Sequence, residues 1–222
     1  MANFRKKCNF ATKNPTKMKI FAIGMNYAAH NRELHPYVKR PDEPVIFTKA
    51  DSALLKPGKP FFVPDHMGRI DYEAEIVVRI SRLGKQISER FAHRYYDALT
   101  VGIDFTAREM QRKASEAGQP WTICKGFDGS AAIGEWVDKE RFLDIQRLRF
   151  RLDKNGETVQ EGYTGDMLYS VDQIIAYISQ YFTLKTGDLL YTGTPVGVGP
   201  VGIGDRLEGW IEEQKVLDVK CK

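Results

Sequence analysis

The 222-residue chain has little cysteine: Cys8, Cys124 and Cys221 lie far apart and show no Cys-x-x-Cys spacing. That argues against a zinc site or a disulfide framework and points to a reducing compartment, the cytoplasm. Long apolar runs are missing as well. No segment approaches the roughly 18 apolar residues of a membrane span. The stretch up to Lys19 is basic and polar where a secretion signal would need an apolar core. A soluble, unexported protein is expected. Charge of one sign does not accumulate either: the net charge is +4, but Lys and Arg are interspersed with Asp and Glu. That leaves no polybasic footprint for nucleic acid or a membrane surface. Repeats, low-complexity runs and dividing linkers are also absent. With 42% hydrophobic and 28% charged residues, the composition fits one large domain with a sizeable core.

What is present is concentrated in a few acidic positions. Asp71-Tyr72-Glu73-Ala74-Glu75-Ile76-Val77-Val78 reads as a strand with Ala74, Ile76, Val78 and Ile80 on its apolar face and Glu73 and Glu75 on the other. Two carboxylates held side by side repel unless a cation lies between them, so the pair reads as part of a site for a hard divalent ion. A solvated strand face is the plain alternative. A third acid, Asp104, ends the β-rich run Thr100–Thr106 just before a helical stretch, Ala107 to Ala117. Asp at that boundary serves either as a ligand or as a helix cap. On the helix, Arg108 and Gln111 share a face, where a cationic fork and an amide could hold a substrate carboxylate. By itself that pair is also an ordinary solvated face.

Two more segments carry chemistry. In Gly24–Glu33 a short helix places His30 and Glu33 three residues apart, close enough to hydrogen-bond, and a carboxylate beside an imidazole makes a general base. A structural histidine is the alternative. Leu190–Pro200 is a strand opening into a Gly-rich loop whose backbone N–H groups and Thr194 hydroxyl could cradle an anion. It lacks the Lys-Ser/Thr ending of a nucleotide-binding loop, and a long turn is the plain reading. Elsewhere strands are expected at Met18–Ile23, Val45–Lys49 and Phe61–Val63, and helices at Arg90–Leu99 and Val171–Phe182. The second helix follows a capping box at Ser170–Gln173. Hairpins are expected around Asn155-Gly156 and between Arg206–Ile211 and Val216–Cys221. Strands that mostly do not alternate with helices favour an α+β or β-roll domain.

These motifs, in this order, resemble the fumarylacetoacetate hydrolase family, most closely its short acylpyruvase and oxaloacetate decarboxylase branch. The motifs are Gly24-x-Asn26-Tyr27-x-x-His30, Glu73-x-Glu75, Gly102-Ile103-Asp104, Gly118-Gln119-Pro120-Trp121, Lys125-Gly126-Phe127-Asp128 and Thr192-Gly193-Thr194-Pro195. The resemblance runs from about Lys19 to the C-terminus, making residues 19–222 one catalytic domain behind an extension at 1–18. It implies an α+β fold, a mixed β-sandwich roll, usually homodimeric, with Mg²⁺ or Mn²⁺ held by Glu73, Glu75 and Asp104. It further implies that His30 and Glu33 lie on a mobile lid that activates water. Arg108, Gln111, Lys125 and Thr194 would surround a small 2-oxo acid, with Lys49 near the site. Tyr72 stands where many members carry His, and Ala50 where Pro is common; neither removes a ligand, and both bear on how the ligands are supported.

The implied chemistry is cleavage to, or interconversion through, a pyruvate enolate. Hydrolysis of acylpyruvates, decarboxylation of oxaloacetate and keto–enol isomerisation all need that charge stabilised, with Lys125 assisting the metal. The wider family's isomerases of hydroxylated dienoic diacids are an alternative. From a different class, a metal-dependent keto-acid binding protein would have no use for a His30–Glu33 pair above its ligand.

Overall fold

The computed structural model describes residues 18–34 and 41–222, with the side chains of residues 32–34 outside that description. Most of the extension at 1–18, with Cys8, therefore falls outside it. Among the described residues a mixed eight-stranded sheet carries the architecture. Its order is Val45–Lys49, Ile20–Gly24, Leu189–Tyr191, Ala74–Ile80, Tyr96–Asp104, Ala131–Ile133 and Leu54–Leu55, and Val137–Asp138 also pairs with Tyr96–Asp104. A four-stranded antiparallel sheet follows the order Glu157–Tyr163, Arg149–Lys154, Arg206–Ile211 and Gln214–Lys220. A third, small sheet joins Gly199–Pro200, Ile70–Tyr72 and Thr106–Ala107. The helices are α1 (Ala28–Leu34), α2 (Glu89–Ala92), α3 (Arg108–Glu116), α4 (Thr122–Lys125) and α5 (Val171–Tyr181). This is the α+β, mixed β-sandwich roll expected from the sequence.

The central strands are apolar on both faces because both are covered. Ile76, Val78 and Ile80 pack into the main core with Leu99, Val101 and Ile103. Val77 enters a second cluster with Ile20, Ala22, Leu189 and Tyr191. Each of these fully buried aliphatic side chains contributes about 1.5–3 kcal/mol relative to exposure. The Glu75 side of its strand is therefore not a solvated face. It is buried, where an unmatched charge is expensive.

Local signals account for much of the rest. Asn155 and Gly156 both take positive φ, 55° and 87°, at the hairpin tip, as a two-residue type I′ turn demands. Ser170 accepts from the Gln173 N–H at 3.2 Å and its own N–H donates to Gln173 Oε1 at 3.0 Å, closing the capping box of α5.

Three expectations change. The predicted helix Arg90–Leu99 shrinks to α2, and Tyr96–Leu99 instead begins the nine-residue strand Tyr96–Asp104. Long-range pairing with Ala74–Ile80 overrides local helical preference there. The Phe61–Val63 strand reduces to a single bridge between Phe61 and Cys221. The continuous strand Asp71–Val78 breaks at Glu73: Ile70–Tyr72 belongs to the small sheet and Ala74–Ile80 to the large one.

Candidate active site

The break at Glu73 assembles the acids. Register pairs Ala74 with Ile103 and Glu75 with Gly102, so Tyr96–Asp104 ends beside the break. The Asp104 N–H then donates to the Glu73 carbonyl at 2.8 Å. Gly102 is required opposite Glu75, since a Cβ there would meet Val77 Cγ2 at 2.6 Å and the Ala132 carbonyl at 2.7 Å. Glu73, Glu75 and Asp104 are all buried, and each offers a carboxylate oxygen within 4.8 Å of the others.

The surrounding cations are distributed unevenly. Lys125, at the end of α4, donates to Glu73 Oε2 at 2.7 Å, Asp104 Oδ2 at 2.9 Å and Thr106 Oγ1 at 2.7 Å, which uses all three of its N–H groups. Arg108, opening α3, donates to Glu73 Oε1 at 2.5 Å, Asp71 Oδ2 at 2.9 Å and Gln111 Oε1 at 2.6 Å. Lys49 pairs with Asp104 Oδ1 at 2.5 Å and is further held by the Lys125 carbonyl and by Ser130. Among the described residues Glu75 receives only the backbone N–H of Gly193, at 2.7 Å, and no cation is placed against it.

The protonation equilibria follow. Burial would raise the Glu73 carboxyl, but Lys125 and Arg108 outweigh it and hold the group below the usual carboxylate range. Burial, then the charges of Asp104 and Glu73, push Glu75 well above that range. Burial acts to lower Lys125, yet Asp104 and Glu73 together raise it, whereas burial dominates at Lys49 and lowers it. A buried carboxylate crowded by two others and lacking a counter-ion must take up either a proton or a metal. The donor set is all oxygen, which suits Mg²⁺ or Mn²⁺, so these residues fit such an ion.

A cavity of about 310 Å³ opens onto the three acids and is lined also by His30, Arg108, Gln111, Lys125 and Thr194. Part of its lining is apolar: Ile23, Met25, Phe47 and Trp121. The structure thus gathers most of the residues singled out in the sequence, with four qualifications. Lys49 lies behind Asp104 and is not on the cavity wall. The Thr194 hydroxyl is already engaged, donating to the Ala74 carbonyl at 2.8 Å and accepting from Gln160 Nε2 at 3.0 Å. The anion cradled by the Gly-rich loop is the protein's own Glu75, through Gly193. Glu33 falls on α1, but its side chain and residues 35–40 are outside the described residues, so the His30–Glu33 pairing and the lid lie beyond them.

The base of α1 is well anchored. Buried Asn26 donates to the Thr192 carbonyl at 2.7 Å and the Tyr169 carbonyl at 3.1 Å, and accepts from the Tyr169 N–H at 2.9 Å. Two contributors escaped sequence reasoning. Asp71 orients Arg108 and also pairs with Arg69 at 2.6 Å; its signal was present, as an acid two residues before Glu73. Gln160 accepts from the Ala74 N–H at 2.9 Å and steadies Thr194, but it comes from a distant hairpin and carries no local signal.

Comparison with known proteins agrees with this architecture. The family model described as fumarylacetoacetate (FAA) hydrolase C-terminal matches residues 19–221. A mitochondrial oxaloacetate tautomerase of Mus musculus is 38% identical over 203 residues, covering 91% of this chain and 91% of that protein. An oxaloacetate tautomerase of Escherichia coli is 38% identical over 190 residues, covering 85% and 86%. A solved fumarylpyruvate hydrolase from Pseudomonas aeruginosa, in complex with Mn²⁺ and pyruvate, superposes with a TM-score of 0.85 at 32% identity, covering 91% of this chain and 88% of that one. No helix among the described residues is long and apolar enough to cross a membrane.

Proposed function

The chain belongs to the fumarylacetoacetate hydrolase family, and on that premise we propose that it is a divalent-metal-dependent enzyme that enolises small 2-oxo acids, with oxaloacetate keto–enol tautomerisation as its first activity. The observation that carries this reading is the buried Glu75 carboxylate, left without a cation beside Glu73 and Asp104 at the inner end of a cavity. Mg²⁺ or Mn²⁺ held by the three acids would polarise the 2-oxo carbonyl of a bound 2-oxo acid and stabilise charge developing on its oxygen.

The chain's own groups supply the remainder. Arg108 and Gln111, hydrogen-bonded to one another, present a polar edge for the substrate carboxylate. Lys125 keeps a fixed positive charge at the site, so an enolate forms in a preorganised field without solvent rearrangement. His30, buried on the cavity wall, carries ring nitrogens that can act as donor and acceptor, which is what moving a proton between C3 and the 2-oxo oxygen requires. The apolar side chains of Ile23, Met25, Phe47 and Trp121 limit water along their part of the cavity.

A second reading, hydrolytic C–C cleavage of acylpyruvates, is supported by the likeness to the fumarylpyruvate hydrolase and by a cavity with room beyond a four-carbon acid. It asks more of the site, since water must be activated, the task assigned to His30 with Glu33. Decarboxylation of oxaloacetate needs only the same enolate stabilisation. The homodimer implied by the family belongs to this proposal and is tested by sedimentation.

The deciding experiment follows loss of enol oxaloacetate by ultraviolet absorbance, and pyruvate release from oxaloacetate, acetylpyruvate and fumarylpyruvate, with Mg²⁺ and with chelator. Metal-dependent acceleration of enol decay above pyruvate release supports tautomerisation. Full activity after chelation, or no acceleration of any of these reactions, would overturn the proposal.

A further inference from the structure

We propose that Arg112 is a specificity-determining residue that receives a second, distal carboxylate, so that the enzyme prefers dicarboxylic 2-oxo acids over monocarboxylic ones of equal length. This rests on the 2-oxo-acid reading above.

On α3, the residues Arg108, Gln111, Arg112 and Ser115 all line the cavity. They stand at i, i+3, i+4 and i+7 and therefore share one helical face. Arg108 meets the acids and holds Gln111, and Arg112 lies one turn along the helix from Arg108, a rise of ~6 Å. With C–C bonds of ~1.5 Å, a four- to six-carbon diacid separates its two carboxyl carbons by about 4–6 Å. Two guanidinium groups one turn apart on one wall match the two ends of such a molecule.

The cations on the wall differ in their commitments. Lys125 and Arg108 are engaged with Glu73, Asp104 and Asp71. Among the described residues Arg112 makes one hydrogen bond, from Nη1 to Glu116 Oε1 at 2.6 Å. Both partners of that pair are more than half exposed, at 59% and 62%, so the bond is weak and easily exchanged. The guanidinium keeps further N–H groups in a fork that suits a carboxylate. Glu109 also reaches the rim, with its carboxylate turned against Gly68. Among the described lining residues, Ile23, Met25 and Phe47 are apolar and offer nothing to a second charge.

The test is calorimetric binding, in Mg²⁺, of 2-oxoglutarate and 2-oxopentanoate, which have the same length and differ in the distal carboxylate. The parent protein should bind 2-oxoglutarate about tenfold more tightly or better, the scale of one charge-assisted contact at a half-exposed site. Arg112→Gln should bring the ratio close to one by weakening 2-oxoglutarate alone, and Arg112→Lys should retain part of it. A ratio unchanged in Arg112→Gln overturns the assignment, and Mg²⁺-dependent binding of either compound then leaves the 2-oxo-acid reading standing. If the parent binds neither compound in a Mg²⁺-dependent way, that reading falls and takes this assignment with it.

Discussion

Replacing Glu75 by Gln should have opposite effects on stability depending on whether metal is present. In the metal-free protein Glu75 has no cation against it and is repelled by Asp104 and Glu73, so its carboxyl is raised well above the usual range. A group whose folded-state pKa is raised favours the fold below its unfolded value, and that contribution is lost as pH climbs through the folded value. Metal-free parent protein should therefore lose stability between mildly acidic and alkaline pH. For two charges within 4.8 Å of one another, Coulomb repulsion at an effective dielectric of 20 is roughly 3 kcal/mol or more. Lys125 attracts Glu75 and offsets part of this, so relief of about 2 kcal/mol is expected, equivalent to about 4–8 °C in Tm for a chain of this size. The Gln amide oxygen can still accept from the Gly193 N–H, so packing is preserved.

Thermal unfolding at pH 5 and pH 8, in chelator and in Mg²⁺, reads out the effect. In chelator at pH 8 the variant should melt above the parent, and at pH 5 the difference should shrink. In Mg²⁺ the order should reverse, because ion at a hundred times its Kd adds ~2.7 kcal/mol to whichever protein binds it and the neutral amide is the poorer ligand. A variant less stable than the parent in chelator at pH 8, or one stabilised by Mg²⁺ as much as the parent, would refute this account of Glu75.

Other substitutions probe the rest of the site. Lys125→Met should lower kcat/KM by about a hundredfold or more on every active substrate, the scale of losing one preorganised charged stabiliser; unchanged kinetics would leave Lys125 with a purely structural role. Glu33→Ala should depress acylpyruvate hydrolysis far more than oxaloacetate decarboxylation while oxalate still binds, and equal loss of both would count against water activation. Gly193 has φ +98°, and a Cβ there would sit 2.7 Å from Asn26 Cβ, so Gly193→Ala should cost about 1–3 kcal/mol. It should also weaken Mg²⁺ binding by shifting the one N–H that orients Glu75; parental Tm and Mg²⁺ affinity would contradict that role.

The legible parts of the site were those whose signal is local and chemical. Acids at Glu73 and Glu75 in a β-patterned segment, and Asp104 before a helix, stood out because such positions normally hold apolar or capping residues. How they meet was not legible. The break at Glu73 depends on Ile70–Tyr72 pairing with Thr106–Ala107 and Gly199–Pro200, partners about 35 and 130 residues away. The same dependence on distant pairing turned Tyr96–Leu99 from helix to strand. Lys49 shows a subtler gap: resemblance brings it near the site, but only the structure shows it behind Asp104. That position has a consequence for the metal. Asp104 is matched by Lys49 and Lys125, Glu73 by Lys125 and Arg108, and Glu75 by a single N–H. Two ligands thus hold their charge at modest electrostatic cost, while the third keeps an unmet demand for a cation. An entering divalent ion competes mainly with a proton on Glu75, so metal affinity should rise with pH over the range where that carboxyl ionises.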